Sequence, residues 1–120
     1  MTIMIVDDNR QMREFLKGYF KDSEADIVEC SNGKEAVDSY NSVLPDCVLM
    51  DVKMPVMDGI EAARKIIKKF PAAKIIMVTE YDDRNLREAA DKAGARKYIL
   101  KDDLSMLRAY LTDFLLKVSQ

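Results

Sequence analysis

Asp46-Cys47-Val48-Leu49-Met50-Asp51-Val52-Lys53-Met54-Pro55-Val56-Met57-Asp58-Gly59 is the stretch that decides how this chain folds. The apolar run from Cys47 to Met50 has no polar alternation, which suits a strand buried on both faces of a parallel sheet. It stops at one carboxylate, Asp51, which then lies at the strand's carboxyl end, where open α/β sheets bind ligands. Pro55 forbids an immediate helix and drives Met54 toward extended backbone. Asp58 is a good N-cap, and Glu61 three residues on completes a capping-box pattern. Residues 52–57 therefore read as a loop beside an acid at the mouth of a sheet. Alone, Asp51 reads equally well as a turn cap, and its context decides.

The same grammar recurs along the chain. Ile3-Met4-Ile5-Val6 is a short apolar run ending in Asp7 and Asp8, and Asn9 then caps a helix carrying Met12, Phe15, Leu16, Tyr19 and Phe20 at helical spacing. Ile27-Val28-Glu29-Cys30 is flanked by charge and suits a sheet edge. Asn32 with Glu35 opens a helix bearing Ala36, Val37, Tyr40 and Leu44. The helix after Asp58 turns Ile60, Ala63, Ile66, Ile67 and Phe70 inward and closes at Pro71. Ile75-Ile76-Met77-Val78 ends in Thr79. Asp82 or Asp83 starts a helix with Leu86, Ala89, Ala90 and Ala93 inside, ended by Gly94. Tyr98-Ile99-Leu100 ends in Lys101. Asp102 or Asp103 caps a last helix with Leu104, Leu107, Leu111, Phe114, Leu115 and Val118 toward the core.

Five strands alternating with five helices predict an α/β fold: a doubly wound five-stranded parallel sheet with helices on both faces. The flavodoxin-like strand order 2-1-3-4-5 sets strands 1, 3, 4 and 5 side by side. Asp7, Asp8, Asp51, Thr79 and Lys101 then share one pocket.

With 120 residues the chain makes one domain, residues 1–120. A net charge of -2 gives the domain no general pull toward nucleic acid or anionic lipid. Cys30 and Cys47 sit among apolar neighbours and read as reduced core residues. No apolar run approaches the roughly 20 residues of a membrane helix, and no signal peptide is visible, so a cytoplasmic protein is expected. There is no histidine. That removes Ser-His and Cys-His nucleophile pairs, most zinc sites and any imidazole proton transfer.

Chemistry here must run on carboxylates, hydroxyls, lysines and a hard metal. Three crowded acids repel one another unless a cation joins them, and Mg²⁺ with oxygen ligands and waters suits them. With Lys101 opposite, the pocket suits a phosphoryl group, Thr79 donating to its oxygen and Asp51 acting as nucleophile. Phosphoryl transfer needs positioning and charge stabilisation and no histidine of its own.

Together, Asp7-Asp8, the 51–59 stretch, Thr79 and Tyr98-Ile99-Leu100-Lys101 resemble the receiver domain of bacterial two-component response regulators, over the whole chain. The likeness is to chemotaxis-type receivers, and the strand order above is shared with that family. The resemblance implies a phosphorylation-activated switch, not an enzyme with a separate substrate. It accepts a phosphoryl group on Asp51 from a sensor histidine kinase or phosphotransfer protein, and assists its own phosphotransfer and dephosphorylation. It implies Mg²⁺ held by Asp8, Asp51 and the backbone carbonyl of Lys53, with Asp7 contacting it directly or through water. Thr79 and Lys101 then bind the phosphoryl group, and Tyr98 matches the family's switch aromatic. A haloacid-dehalogenase-like phosphatase would need a second acid two residues after the nucleophile, where Lys53 stands.

Two positions depart from the family pattern. Asp102 follows Lys101 where proline, frequently after a cis peptide, is common. A cis bond there would cost roughly 2.5–4 kcal/mol, so a trans bond is expected. A Lys-Asp pair is similar to regulators with LuxR-type output domains. Glu80 follows Thr79 where a small residue is common, and would narrow access to the pocket. Lys53 and Tyr81 are expected to flank it. Met106 and Tyr110, off the core stripe of the last helix and near Arg87 and Asp91, form the expected surface for an output domain, a second copy or a separate effector.

Overall fold

The computed structural model describes the backbone of residues 1–118 and the side chains of residues 1–113. Phe114, Leu115 and Val118, expected in the core, lie outside the described side chains. The elements run β1 (Thr2–Val6), α1 (Arg10–Lys17), a 3-10 turn (Gly18–Phe20), β2 (Asp26–Cys30), α2 (Gly33–Val43), β3 (Cys47–Met50), α3 (Gly59–Lys69), β4 (Ile75–Thr79), α4 (Arg84–Ala93), β5 (Lys97–Leu100) and α5 (Leu104–Val118). All strand pairs are parallel, in the order β2-β1-β3-β4-β5. This is the expected doubly wound, flavodoxin-like sheet, with β2 at an edge.

Period-two alternation splits the strand side chains between two cores. Ile3, Ile5, Leu49, Ile76, Val78 and Ile99 face α1 and α5, joining Leu16, Phe20, Leu107 and Leu111. Met4, Val6, Val48, Met50, Ile75 and Met77 face α2, α3 and α4, joining Ala36, Ala62, Ala63, Ile66 and Ala90. Each large side chain so buried contributes about 1.5–3 kcal/mol, which makes this packing the main determinant of register. Asn9, Asn32, Asp58 and Asp83 each cap a helix, their side-chain oxygens accepting from the third residue on. Cys30 and Cys47 are free and buried, and burial pushes the Cys47 thiol up to about 12. No helix among the described residues is long and apolar enough to cross a membrane.

Two expected core residues are exposed. Phe15 is 55% accessible: it lies on the flank of α1 with its ring edge-on to Tyr19, while its neighbour Leu16 and Phe20 of the 3-10 turn enter the core. Leu44 is 58% accessible: it takes the left-handed C-cap conformation of α2, φ 46°, which turns its side chain outward.

Candidate phosphoacceptor site

Asp7, Asp51, Thr79 and Lys101 are set by the sheet's own hydrogen-bond ladder, carried to or just past the end of a strand. The Asp7 N–H donates to the Cys30 carbonyl at 3.1 Å, the Asp51 N–H to Val6 at 2.9 Å and the Lys101 N–H to Thr79 at 2.8 Å. Thr79 closes β4 and is fully buried. The buried strands therefore fix these Cα positions before any side chain in the site makes a contact.

The side chains converge on one ammonium. Lys101 Nζ lies 3.0 Å from Asp7 Oδ2 and 3.2 Å from Asp51 Oδ2, bridging β1 and β3 from β5. Asp7 Oδ1 accepts from the Asn9 N–H at 2.9 Å, and Asp51 Oδ1 from the Val52 N–H at 2.8 Å. Burial raises the Asp51 carboxyl above its ordinary range, and the Asp7 charge adds to this, against the pull of Lys101. Burial works to lower the Lys101 ammonium, but Asp51 and Asp7 outweigh it and the net shift is upward. One carboxylate oxygen from each of Asp7, Asp8 and Asp51 lies within 4.8 Å of the others. Asp8 is exposed, and no hydrogen bond holds its carboxylate among the described residues. Three hard oxygens, one side open to water and more acid charge than Lys101 neutralises form a donor set that fits a divalent cation.

The loop after Asp51 is packed against the acid's own backbone. A Cβ on Gly59 would collide with the Asp51 carbonyl oxygen, so only glycine lets α3 begin there. The Gly59 N–H donates to the Val52 carbonyl at 2.7 Å. Val56, 77% accessible at the loop, holds φ at +70°, a costly conformation for a β-branched residue. Lys53 is exposed and places its ammonium 4.4 Å from the centre of the Tyr81 ring, a cation–π contact joining the β3–α3 and β4–α4 loops.

Tyr81 also meets the far side of the site. Its N–H donates to Thr79 Oγ1 at 3.3 Å, and its carbonyl accepts from the Tyr98 hydroxyl at 2.7 Å. The Arg87 guanidinium lies 4.5 Å from the Tyr98 ring centre, donates to the Tyr98 carbonyl at 3.3 Å and reaches Asp82 at 3.4 Å.

The structure thus brings together Asp7, Asp8, Asp51 and Lys101, with Thr79 beside them, and joins Lys53 to Tyr81 at the margin. Glu80 and Asp91 are exposed, and the Lys101–Asp102 peptide is trans. The two residues of the expected Met106–Tyr110 surface differ in exposure. Met106 is 57% accessible, but the Tyr110 ring is half-buried against the core shared by α1 and α5. Arg87 is turned toward β5 by its stacking on Tyr98.

Sequence reasoning missed Arg13. Its Nε donates to Glu29 at 3.0 Å and its Nη1 to the Asp7 carbonyl at 2.6 Å, so one guanidinium ties α1, β2 and the end of β1. Glu29 is 16 residues away in sequence, and no local spacing signals the pair.

Comparison with known proteins agrees with this geometry. The response regulator receiver domain family matches residues 3–112. The chain is 42% identical over 102 residues to the chemotaxis protein CheY of Listeria monocytogenes, covering 84% of this chain and 86% of that protein. It is 41% identical over 104 residues to the transcriptional regulatory protein YhcZ of Bacillus subtilis, covering 85% of this chain and only 49% of that longer protein. A LuxR-family two-component response regulator from Aurantimonas superposes with a TM-score of 0.86 at 31% identity, covering 97% of this chain and 85% of that one. A chain of the CheX–CheY–BeF3–Mg complex from Borrelia burgdorferi superposes with a TM-score of 0.83 at 27% identity, covering 100% of this chain and 90% of that one. The sheet order, the acids and lysine at matching strand ends and these relatives lead to one conclusion: the chain belongs to the response regulator receiver domain family of two-component systems.

Proposed function

We propose that residues 1–120 form a phosphorylation-activated receiver switch with Asp51 as its phosphoacceptor. The observation that carries this reading is Lys101, whose ammonium lies 3.2 Å from a buried Asp51 carboxylate that burial and Asp7 make costly to ionise. A carboxylate oxygen of Asp51 bonds to phosphorus as the P–N bond of a donor phosphohistidine, on a sensor histidine kinase or phosphotransfer protein, breaks. The freed imidazole then takes a proton from solvent. Lys101 turns its charge to the incoming phosphoryl oxygens, and Thr79 exchanges its bond with the Tyr81 N–H for one in which its hydroxyl donates to phosphate.

Asp7, Asp8, Asp51 and the backbone carbonyl of Lys53 would hold Mg²⁺, as suits this oxygen-rich, partly open donor set. When bound, the ion supplies positive charge against the phosphoryl oxygens. Lys53 and Tyr81 shade the acyl phosphate from water, whose attack on phosphorus returns the free carboxylate and inorganic phosphate.

The signal leaves through Tyr98. When Thr79 turns to the phosphoryl group, the Tyr81 segment that Tyr98 grips is released from it. This biases a two-state element beside α4 and α5. Arg87, Asp91 and Met106, with Tyr110 at their margin, then meet a second copy, a separate effector or an output domain. The LuxR-family likeness favours a DNA-binding, transcriptional output domain, with nucleic acid contacted by that domain and not by this one.

Intact mass after incubation with acetyl phosphate and Mg²⁺ tests the reading. One phosphoryl group should add to the native protein and none to Asp51→Asn. Labelling that survives Asp51→Asn removes Asp51 from the role.

A further inference from the structure

We infer that Arg13 is a positioning residue for the acid cluster, orienting the peptide between Asp7 and Asp8; this rests on reading those acids as a divalent-cation site. The Asp7 carboxylate is held twice, by the Asn9 N–H and by Lys101. The Asp8 carboxylate is held by nothing among the described residues, so its direction depends on the backbone that carries it. The peptide unit between the two acids is planar, and fixing its carbonyl fixes its N–H and the Asp8 Cα with it. Arg13 Nη1 fixes that carbonyl with a 2.6 Å hydrogen bond.

The guanidinium is itself aimed. Its Nε donates to Glu29 Oε1 at 3.0 Å, and Lys17 holds the other Glu29 oxygen at 3.2 Å. The Arg13 side chain is only 16% exposed. A rigid two-direction fork is something arginine provides and lysine does not. Groups that orient metal ligands in this way typically cost about 10–100-fold in metal affinity when removed.

The proposal separates cleanly from a charge effect, because the two have opposite signs. Arg13 places a positive charge next to acids that attract a cation. By charge alone, Arg13→Met should tighten Mg²⁺ binding and Arg13→Lys should leave it unchanged. If Arg13 positions Asp8, both weaken it.

The test is calorimetric titration of MgCl2 into the native protein, Arg13→Met and Arg13→Lys, with the amide 1H–15N resonance of Asp8, which lies in the peptide unit Arg13 holds, followed in the metal-free proteins. The expected result is about tenfold weaker Mg²⁺ binding in Arg13→Met, a smaller loss in Arg13→Lys and a shifted, broadened Asp8 resonance in both. Should Arg13→Met fold poorly, Arg13→Lys decides alone. Unchanged or tighter binding in the variants, even with a lowered Tm, overturns the role of Arg13. A native protein that binds no Mg²⁺ instead overturns the cation reading, and the inference falls with it.

Discussion

The Tyr98 hydroxyl donates to the Tyr81 carbonyl at 2.7 Å, so the aromatic on β5 grips the loop that begins at the end of β4. Burial raises the Tyr98 phenol, which keeps the donor proton in place at neutral pH. Tyr98→Phe keeps the ring and its Arg87 contact but removes this bond, a loss of about 1 kcal/mol. Phosphorylation of Asp51 should persist, while amide exchange across residues 81–83 speeds and the phosphorylation-dependent change in partner affinity shrinks. Exchange unchanged across that loop would show that the grip is idle.

Lys53 and Tyr81 close the margin of the site through a contact of the kind worth about 0.5–1 kcal/mol at exposed positions. Replacing both by Ala should speed loss of phosphate from Asp51 roughly two- to fivefold, that energy expressed as a rate. Decay of the phosphorylated species by intact mass provides the measurement, and an unchanged half-life ends the shielding idea.

Asp51 makes the metal-free fold less stable than its neighbours allow. Its folded pKa lies above the ordinary 3.8, chiefly through burial, so the folded state holds its proton more tightly than the unfolded one. This contribution to stability therefore falls as pH rises from about 3.8 through the folded value. Lys101 acts at the other extreme: its support is complete below 10.5 and is lost as pH rises through its raised folded pKa. In EDTA near pH 7, Asp51→Asn should melt a few degrees above the native protein. Mg²⁺ should raise the native Tm and leave that of Asp8→Ala nearly unchanged. A lowered Tm for Asp51→Asn in EDTA would contradict this.

Val56 holds a left-handed backbone with a branched, exposed side chain. Val56→Asn, which tolerates that conformation, should stabilise the domain by about 1 kcal/mol in chemical denaturation. Gly59→Ala should do the reverse and abolish labelling, since its Cβ would collide with the Asp51 carbonyl. A neutral Val56→Asn would mean that the loop relaxes at little cost.

The fold and the central site were legible in the sequence because both rest on strand ends. Apolar runs locate the strands, and the residue where each run stops locates the site, which gave Asp7, Asp51, Thr79 and Lys101 together. What escaped depends on geometry without a linear period. Phe15 shares the helical period of the core residues but sits at the flank of α1 against Tyr19, and Leu44 turns outward because a left-handed cap reverses the chain. The fork of Arg13 and the stacking of Arg87 on Tyr98 join residues whose partnership is set by tertiary approach. Tyr110 lies off the core stripe of α5, and the neighbouring core that half-covers it leaves no mark on the period of that helix.

The ladder bonds at Asp7, Asp51 and Lys101 carry a consequence for motion. The Asp51–Val6 bond joins two interior strands, β3 and β1, and opens only when the sheet does, so the Asp51 amide should exchange more slowly than those of Asp7 and Lys101, whose bonds involve the edge strands β2 and β5. The phosphoacceptor is thus mounted on the part of the molecule least able to yield. The contacts that join the loops around it to one another are few: the Lys53 ammonium over the Tyr81 ring and the Tyr98 hydroxyl on the Tyr81 carbonyl. A change of charge at Asp51 therefore leaves the strands where they are and is expressed in the loops, much as a bell's clapper moves while its frame stands still.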